Sequence, residues 1–431
     1  MTGERWIFRG VRVLDPFRGL DAEGDVAVAD GVFAHPADAV GAVPVDAKGL
    51  WLVPRVTDLH VHFRDPGQTW KEDLHSGCRA AAAGGVTTVG VMPNTVPVTD
   101  SAARLAAVRE RLEALGAVRP WMIGAVTAGS AGGEPAPWDD LAAAGAVALS
   151  DDGHPVARAA ILGAVLAWSR RTGRPLLQHA EEPDLSAGGH AHAGDPARDL
   201  GIPGVPAAAE AAMVWRDVGM LREVGGRLHV CHVSTDGALE AVAWAVGRGL
   251  DVSAEATPHH LLLTDEALRE WAGSAVTKVN PPLRPARMRA ALRRAVRTGL
   301  VGVVASDHAP HAAEEKARPY PEAPFGISGL ETLLGVVLTV LVHEEGMPPL
   351  TALARVTVGP HRVVGRRYPG VRPGAPADLT LVDPDAAWVV DPARFVSRGH
   401  NTPLAGVRLR GRPVATMVGG RFTFRDGEVL V

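Results

Sequence analysis

Apolar positions along the chain fall into two textures. Over residues 5–54 they come in short runs at 6–13, 24–28 and 49–53, punctuated by Gly and Pro and without a helical period. That pattern predicts a small β unit. From residue 55 the runs alternate in type. A helix-like stretch at 74–83 ends at Gly84-Gly85, a buried strand follows at 86–92, and an amphipathic helix covers 102–115. The alternation continues with strands at 121–126, 146–150, 175–178, 227–233, 250–254 and 301–305. Helices at 139–144, 157–172, 207–224, 237–248, 286–298 and 329–344 lie between and after them. Beyond residue 366 short strands return, at 377–382, 388–390, 406–409 and 413–418.

Strand–helix alternation argues for parallel strands joined by helical crossovers. With about eight repeats and polar residues gathered just after the strands, a (β/α)₈ barrel of the α/β class is favoured over an open doubly wound sheet. The expected organisation is a catalytic barrel at 55–365 and a composite β-sandwich built from 1–54 and 366–431. A chain of 431 residues accommodates both.

Composition narrows the partners. A net charge of −4 gives no electrostatic case for nucleic acid, and no apolar run reaches the roughly 18 residues that span a membrane. Two cysteines, Cys78 and Cys231, cannot build a disulfide framework, so a cytoplasmic location is expected. Of the 44 basic residues only Lys48, Lys71, Lys278 and Lys316 are lysine.

Chemistry gathers at strand ends. In Asp58-Leu59-His60-Val61-His62-Phe63-Arg64 strand alternation puts His60, His62 and Arg64 on one face. Other strands run into Asp151-Asp152-Gly153, His179, Cys231-His232 and Asp307. In a barrel these ends share one rim. Any single one is ordinary, since a lone His after an apolar strand is usually a core or loop residue. Four imidazoles and two carboxylates together suit two divalent ions of the zinc type, and such ions lower the pKa of a shared water. That combination points to metal-assisted hydrolysis.

The same stretches resemble the amidohydrolase superfamily and, within it, the dihydroorotases. The motifs are DLHVHFRDPG at 58–67, GGVTTVGVMPNT at 84–95, SDDG at 150–153, QHAEE at 178–182, HVCHVST at 229–235, EATPHHLLLT at 255–264, KVNPPLR at 278–284, SDHAPH at 306–311 and APFGISGLET at 323–332. The resemblance implies reversible hydrolysis of L-dihydroorotate to N-carbamoyl-L-aspartate in pyrimidine synthesis, by a metal-bridged hydroxide. It implies two Zn²⁺ ions, one held by His60 and His62, the other by His179 and His232. Asp151 would bridge them, with Asp152 as a competitor for that place, and Asp307 would be both ligand and general acid/base. Substrate contacts carried over are His62 and Phe63, then Arg64, Asn94 and His311 toward the carboxylate, and Asn280 with the Phe325-Gly326 backbone toward the ring. For Asn94 and Asn280 turn chemistry beside Pro93 and Pro281 is the plain alternative. His259-His260, His308, His190 and His192 are left outside the ligand set, the last two as solvated. Cys231 is expected to pack away from the site. Residues 311–325 are expected to close over the substrate. A homodimer and association with aspartate transcarbamoylase belong to the same set of implications.

One departure is visible: Pro54-Arg55 stands where the family usually has Pro-Gly, which removes a permissive backbone position. The rival readings are a hydantoinase, dihydropyrimidinase or allantoinase, whose metals are usually bridged by a carboxylated lysine, and a non-catalytic scaffold. No lysine lies between Lys71 and Lys278, and all six ligand positions are present.

Overall fold

The computed structural model describes residues 5–431. Eight parallel strands follow one another around the central sheet in chain order. They are Thr57–Val61, Thr88–Val91, Arg119–Gly124, Ala148–Leu149, Leu176–Gln178, Leu228–Val230, Val252–Ala256 and Val303–Val304. The ring closes where Val61 bridges His308, with the His62 amide donating to the His308 carbonyl at 2.9 Å. The expected (β/α)₈ barrel is therefore present, and all eight strands end on one rim. No helix among the described residues is long and apolar enough to cross a membrane.

Helix boundaries follow local chemistry. The helix Leu74–Ala83 starts at Asp73, whose carboxylate accepts from the Ser76 amide while the Ser76 hydroxyl accepts from the Asp73 amide. Ala102–Leu115 and Ala286–Thr298 end at Gly116 and Gly299, both left-handed. The helix expected over 329–344 is instead a 3₁₀ turn (Leu330–Thr332), a short α-helix (Leu333–Val337) and a wider π turn (Leu338–Glu344). The Thr339 hydroxyl bonds the Gly335 carbonyl at 2.7 Å and accepts from the Arg410 amide at 2.8 Å, tying the widened turn to the neighbouring sheet.

Both chain ends enter one nine-stranded sheet. Trp51–Pro54 joins its halves, pairing with Trp6–Asp15 on one side and Leu379–Val389 on the other. The sheet folds back so that Gly31 meets Gly419 and Gly420, and Phe8, Val28, Phe33, Leu52, Leu381 and Met417 form a core between its halves. The four expected C-terminal segments merge into two long strands, and two further strands, Arg421–Arg425 and Glu428–Val429, follow them. Leu379–Val389 pairs with Arg408–Val418 through two register shifts, because the turn-like Asp383-Pro384-Asp385 is absorbed as a bulge.

Arg55 does occupy a position that favours glycine, with φ 46°. Its guanidinium donates to buried Asp378 (Nε to Oδ2, 3.0 Å) and lies 4.5 Å from the Tyr368 ring centroid. A charge-assisted contact of this kind offsets the backbone strain.

Candidate metal centre

His60 and His62 project together from the end of the first barrel strand, and Phe63 points the other way. The Phe63 ring fills the space a Cβ on Gly77 would need, 2.5 Å from its Cδ1. Expected as a substrate contact, the Phe63 side chain is buried in the core.

Two groups of side-chain atoms converge at the rim: His60, His62 and Asp307, and His179, His232 and Asp152. The carboxylate of Asp152 addresses both. Its Oδ2 lies 3.3 Å from His60 Nε2 and 3.5 Å from His62 Nε2; its Oδ1 lies 3.3 Å from His232 Nε2 and 3.6 Å from His179 Nδ1. Asp307 Oδ1 is 3.1 Å from His62 Nε2 and 3.5 Å from His60 Nε2, and His179 Nδ1 is 3.1 Å from His232 Nε2. An ion with bonds of about 2.0–2.1 Å has tetrahedral ligand edges of about 3.3–3.4 Å. The observed separations bracket that value.

The outer partners set the tautomers. His60 Nδ1 donates to Glu255 Oε1 at 2.7 Å, His62 Nδ1 to Asn94 Oδ1 at 2.8 Å, and His179 Nε2 to Glu181 Oε2 at 3.1 Å. Each ring thus turns a lone pair toward the carboxylates. Lone pairs of three imidazoles and two carboxylates aimed at common points repel unless cations or protons lie between them. The buried His60 Nε2 has no hydrogen-bond partner among the described residues. Burial disfavours charge on these rings, yet Asp152 and Asp307 overcome it and raise His60 well above its ordinary value. His179 rises to about 10 against the same burial, chiefly through Asp152 and Glu181. The same rings hold Asp152 and Asp307 below the usual carboxylate range despite burial. The donor set fits divalent metal ions of the zinc type.

Asp151, the expected bridge, is turned away. Its carboxylate accepts from the Val126 and Thr127 amides at 2.9 and 3.0 Å and from the Thr127 hydroxyl at 2.5 Å. The strand stops at Leu149, so its alternation does not govern which of the two aspartates faces the centre. Asp151 clamps the neighbouring strand end and Asp152 faces the histidines. Alternation also fails at Cys231: its strand ends at Val230, and Cys231 lies with His60 and Asp152, their candidate ligand atoms within 4.8 Å of one another. Three residues at the rim, Arg64, His232 and Asp307, have positive φ (56°, 34° and 48°), a strained state in non-glycine residues.

Glu255 was not singled out from the sequence. It is fully buried and shared between His60 and His229, the latter at 3.0 Å. Burial opposes its ionisation, but the His229 and His60 hydrogen bonds hold it down at about 2. A Glu within a buried barrel strand is the signal that could have found it. Glu255→Gln should lower zinc affinity by about 10–100-fold. Competition with a chromogenic chelator checks this, and unchanged affinity would make Glu255 a packing residue.

Arg64 is buried, its Nε has no hydrogen-bond partner, and its Nη2 meets only His311 Nε2, at 3.5 Å. No carboxylate forms an ion pair with it among the described residues. Burial, opposed by Asp307 and Asp152, pushes the guanidinium down to about 10. Asn94 is engaged with His62, and Asn280 donates to Glu181 Oε2 at 2.8 Å, so both orient metal-facing histidines. The Phe325 carbonyl accepts from His311 Nε2 at 2.7 Å, and the Gly326 amide donates to the Lys278 carbonyl. His260 is held by Thr257 and the Pro281 carbonyl, and His308 by Glu72. His192, expected to be solvated, is buried beside Arg284 in a short paired strand.

Comparison with known proteins agrees with this geometry. A family model described as dihydro-orotase-like matches residues 49–238. A dihydroorotase of Pelotomaculum thermopropionicum is 45% identical, over 97% of this chain and 98% of that protein. One from Anaeromyxobacter dehalogenans is also 45% identical, with the same coverage. Among solved structures, the L-hydantoinase of Arthrobacter aurescens superposes with a TM-score of 0.87 at 28% identity, covering 100% of this chain and 98% of that one. The barrel, the converging His and Asp side chains and these relatives together place the chain in the dihydroorotase family, as a metal-dependent cyclic amide hydrolase.

Proposed function

We propose that the chain hydrolyses and re-forms the cyclic amide of L-dihydroorotate, with N-carbamoyl-L-aspartate as the open form. The observation that carries this reading is Arg64: a buried guanidinium with unused donors and no carboxylate partner, beside the metal-binding histidines. A substrate carboxylate supplies what it lacks. The hydantoinase reading leaves Arg64 without an anionic partner.

Two zinc ions, held by His60, His62 and Asp307 and by His179 and His232 with Asp152 between, would supply Lewis acidity and an activated water. The protein's own groups do the rest. Arg64 binds and orients the substrate carboxylate, with His311 held beside it by the Phe325 carbonyl. Asn94, Glu181 and Asn280 hold the histidine rings in register. Asp307, kept ionised by its histidine neighbours, takes the proton released on attack and returns it to the departing amide nitrogen.

Arg64→Lys keeps the charge and loses the planar fork. We expect kcat/KM on L-dihydroorotate to fall about tenfold or more, the scale of one charge-assisted hydrogen bond at roughly 1.5–3 kcal/mol. A neutral cyclic amide should feel much less. Equal losses on both substrates would assign Arg64 to structure and remove the main support for a carboxylate-bearing substrate. A homodimer and association with aspartate transcarbamoylase are part of the same proposal, and sedimentation of the chain alone and with that partner tests both.

A further inference from the structure

The chain uses arginine for nearly all its cations, yet three of its four lysines, Lys71, Lys278 and Lys316, converge on the segment 311–326. Lys278, 1% exposed, donates from Nζ to the carbonyls of Tyr320 (2.8 Å), Pro321 (3.0 Å) and Ala323 (2.7 Å). Lys316, 5% exposed, donates to those of Lys278 (3.2 Å), Pro324 (3.0 Å) and Gly326 (2.8 Å). Lys71 pairs with Glu315 at 3.1 Å.

Three carbonyls around each ammonium match its three N–H donors, an arrangement a planar guanidinium cannot satisfy. Residues 317–326 contain no helix or strand, and apart from Pro319, whose carbonyl accepts from the Glu322 and Ala323 amides, their carbonyls need donors from elsewhere. Holding two ammonium groups away from water is unfavourable: burial pushes Lys316 down to about 7 and Lys278 down to about 8. The segment they secure has little freedom. Gly326 sits at φ 122°, and a Cβ there would come within 2.7 Å of the Ala309 carbonyl oxygen. Its neighbour Phe325 holds His311 through its carbonyl, and His311 in turn meets Arg64.

We propose that Lys278 and Lys316 are positioning residues, a pair of ammonium clasps that fix 320–326 against the barrel mouth and thereby set His311 beside Arg64 for the substrate. The identity of that substrate rests on the function proposed above. The segment is then a fastened wall, ordered before the substrate arrives, and not the closing flap that its polar sequence suggests.

The test uses Lys278→Met and Lys316→Met in the zinc-loaded full chain, since Met keeps much of the side-chain length and supplies no donor. Hydrogen exchange of the 311–326 amides should accelerate about tenfold or more. KM for L-dihydroorotate should rise about tenfold with kcat and zinc content changed far less. In Lys316→Ala, ammonium chloride should lower KM again by refilling the carbonyl cage, and potassium chloride should not. Exchange and KM at the parent values in both Met variants would overturn the proposal. If the Met variants do not fold, Lys316→Arg decides: it retains the cation but mismatches the cage, so parent-like exchange and KM would equally overturn it. Exchange needs no substrate, so absence of dihydroorotate turnover in the parent would defeat the functional reading and leave the clasp measurable.

Discussion

Asp307→Asn is expected to lower kcat by about 10²–10⁴ in both directions, the usual worth of general acid/base catalysis, while most of the zinc stays bound. Asp307 Oδ1 lies 3.1 Å from His62 Nε2 and 3.5 Å from His60 Nε2, so it is placed both to contact a metal and to reach the reacting atoms. Burial alone would favour its protonated form, yet His60 and His62 hold it ionised, ready to accept a proton. An asparagine keeps the size and one oxygen donor but cannot carry a proton from the attacking water to the amide nitrogen. Zinc content and kcat measured on one preparation separate the two roles. Retained zinc with near-parent turnover would make Asp307 a ligand only, and loss of both together would leave no case for a separate proton-carrying role.

Neighbouring aspartates should behave in opposite ways. Asp152→Asn removes a charge that faces four histidines, and breaking a buried charge set costs about 3–5 kcal/mol. That corresponds to about 10²–10⁴ in zinc affinity, so turnover should collapse at sub-saturating zinc. Asp151→Asn changes a group engaged with Val126 and Thr127, so it should cost about 1–2 kcal/mol of stability and leave zinc stoichiometry alone. Isothermal titration of zinc into both apoproteins, with thermal melts alongside, checks the pair. The reverse pattern would restore Asp151 as the bridging group.

How much of this was legible in the chain depended on range. Apolar periodicity suffices for the barrel, and strand-end histidines with the strand-end Asp307 for five of the six centre residues, because both are encoded locally. The choice between Asp151 and Asp152 was not, since it is made by the amides of Val126 and Thr127, about 25 residues upstream. Cys231 and His232 escaped the period-2 rule because their strand stops at Val230, one residue before them. Phe63 likewise lies beyond its strand, which stops at Val61, and its burial is set by packing against Gly77. Glu255 and the lysine clasps depend on partners far along the chain: His60 lies 195 residues from Glu255, and Tyr320 lies 42 from Lys278. The long strand Leu379–Val389 looked like two because a bulge at Asp383-Pro384-Asp385 carries the residues of a turn.

Lys71, Lys278 and Lys316 are all engaged with the segment 311–326, so on the proposed reading the bridge is the Asp152 carboxylate and needs no carbon dioxide. The most direct test of the account is therefore a zinc titration of the apoprotein in bicarbonate-free buffer, scored by turnover of L-dihydroorotate. The account predicts activity that saturates at two zinc ions per chain and is indifferent to added bicarbonate. Saturation at one ion, turnover that appears only with bicarbonate, or no turnover of L-dihydroorotate by the fully loaded protein would contradict it.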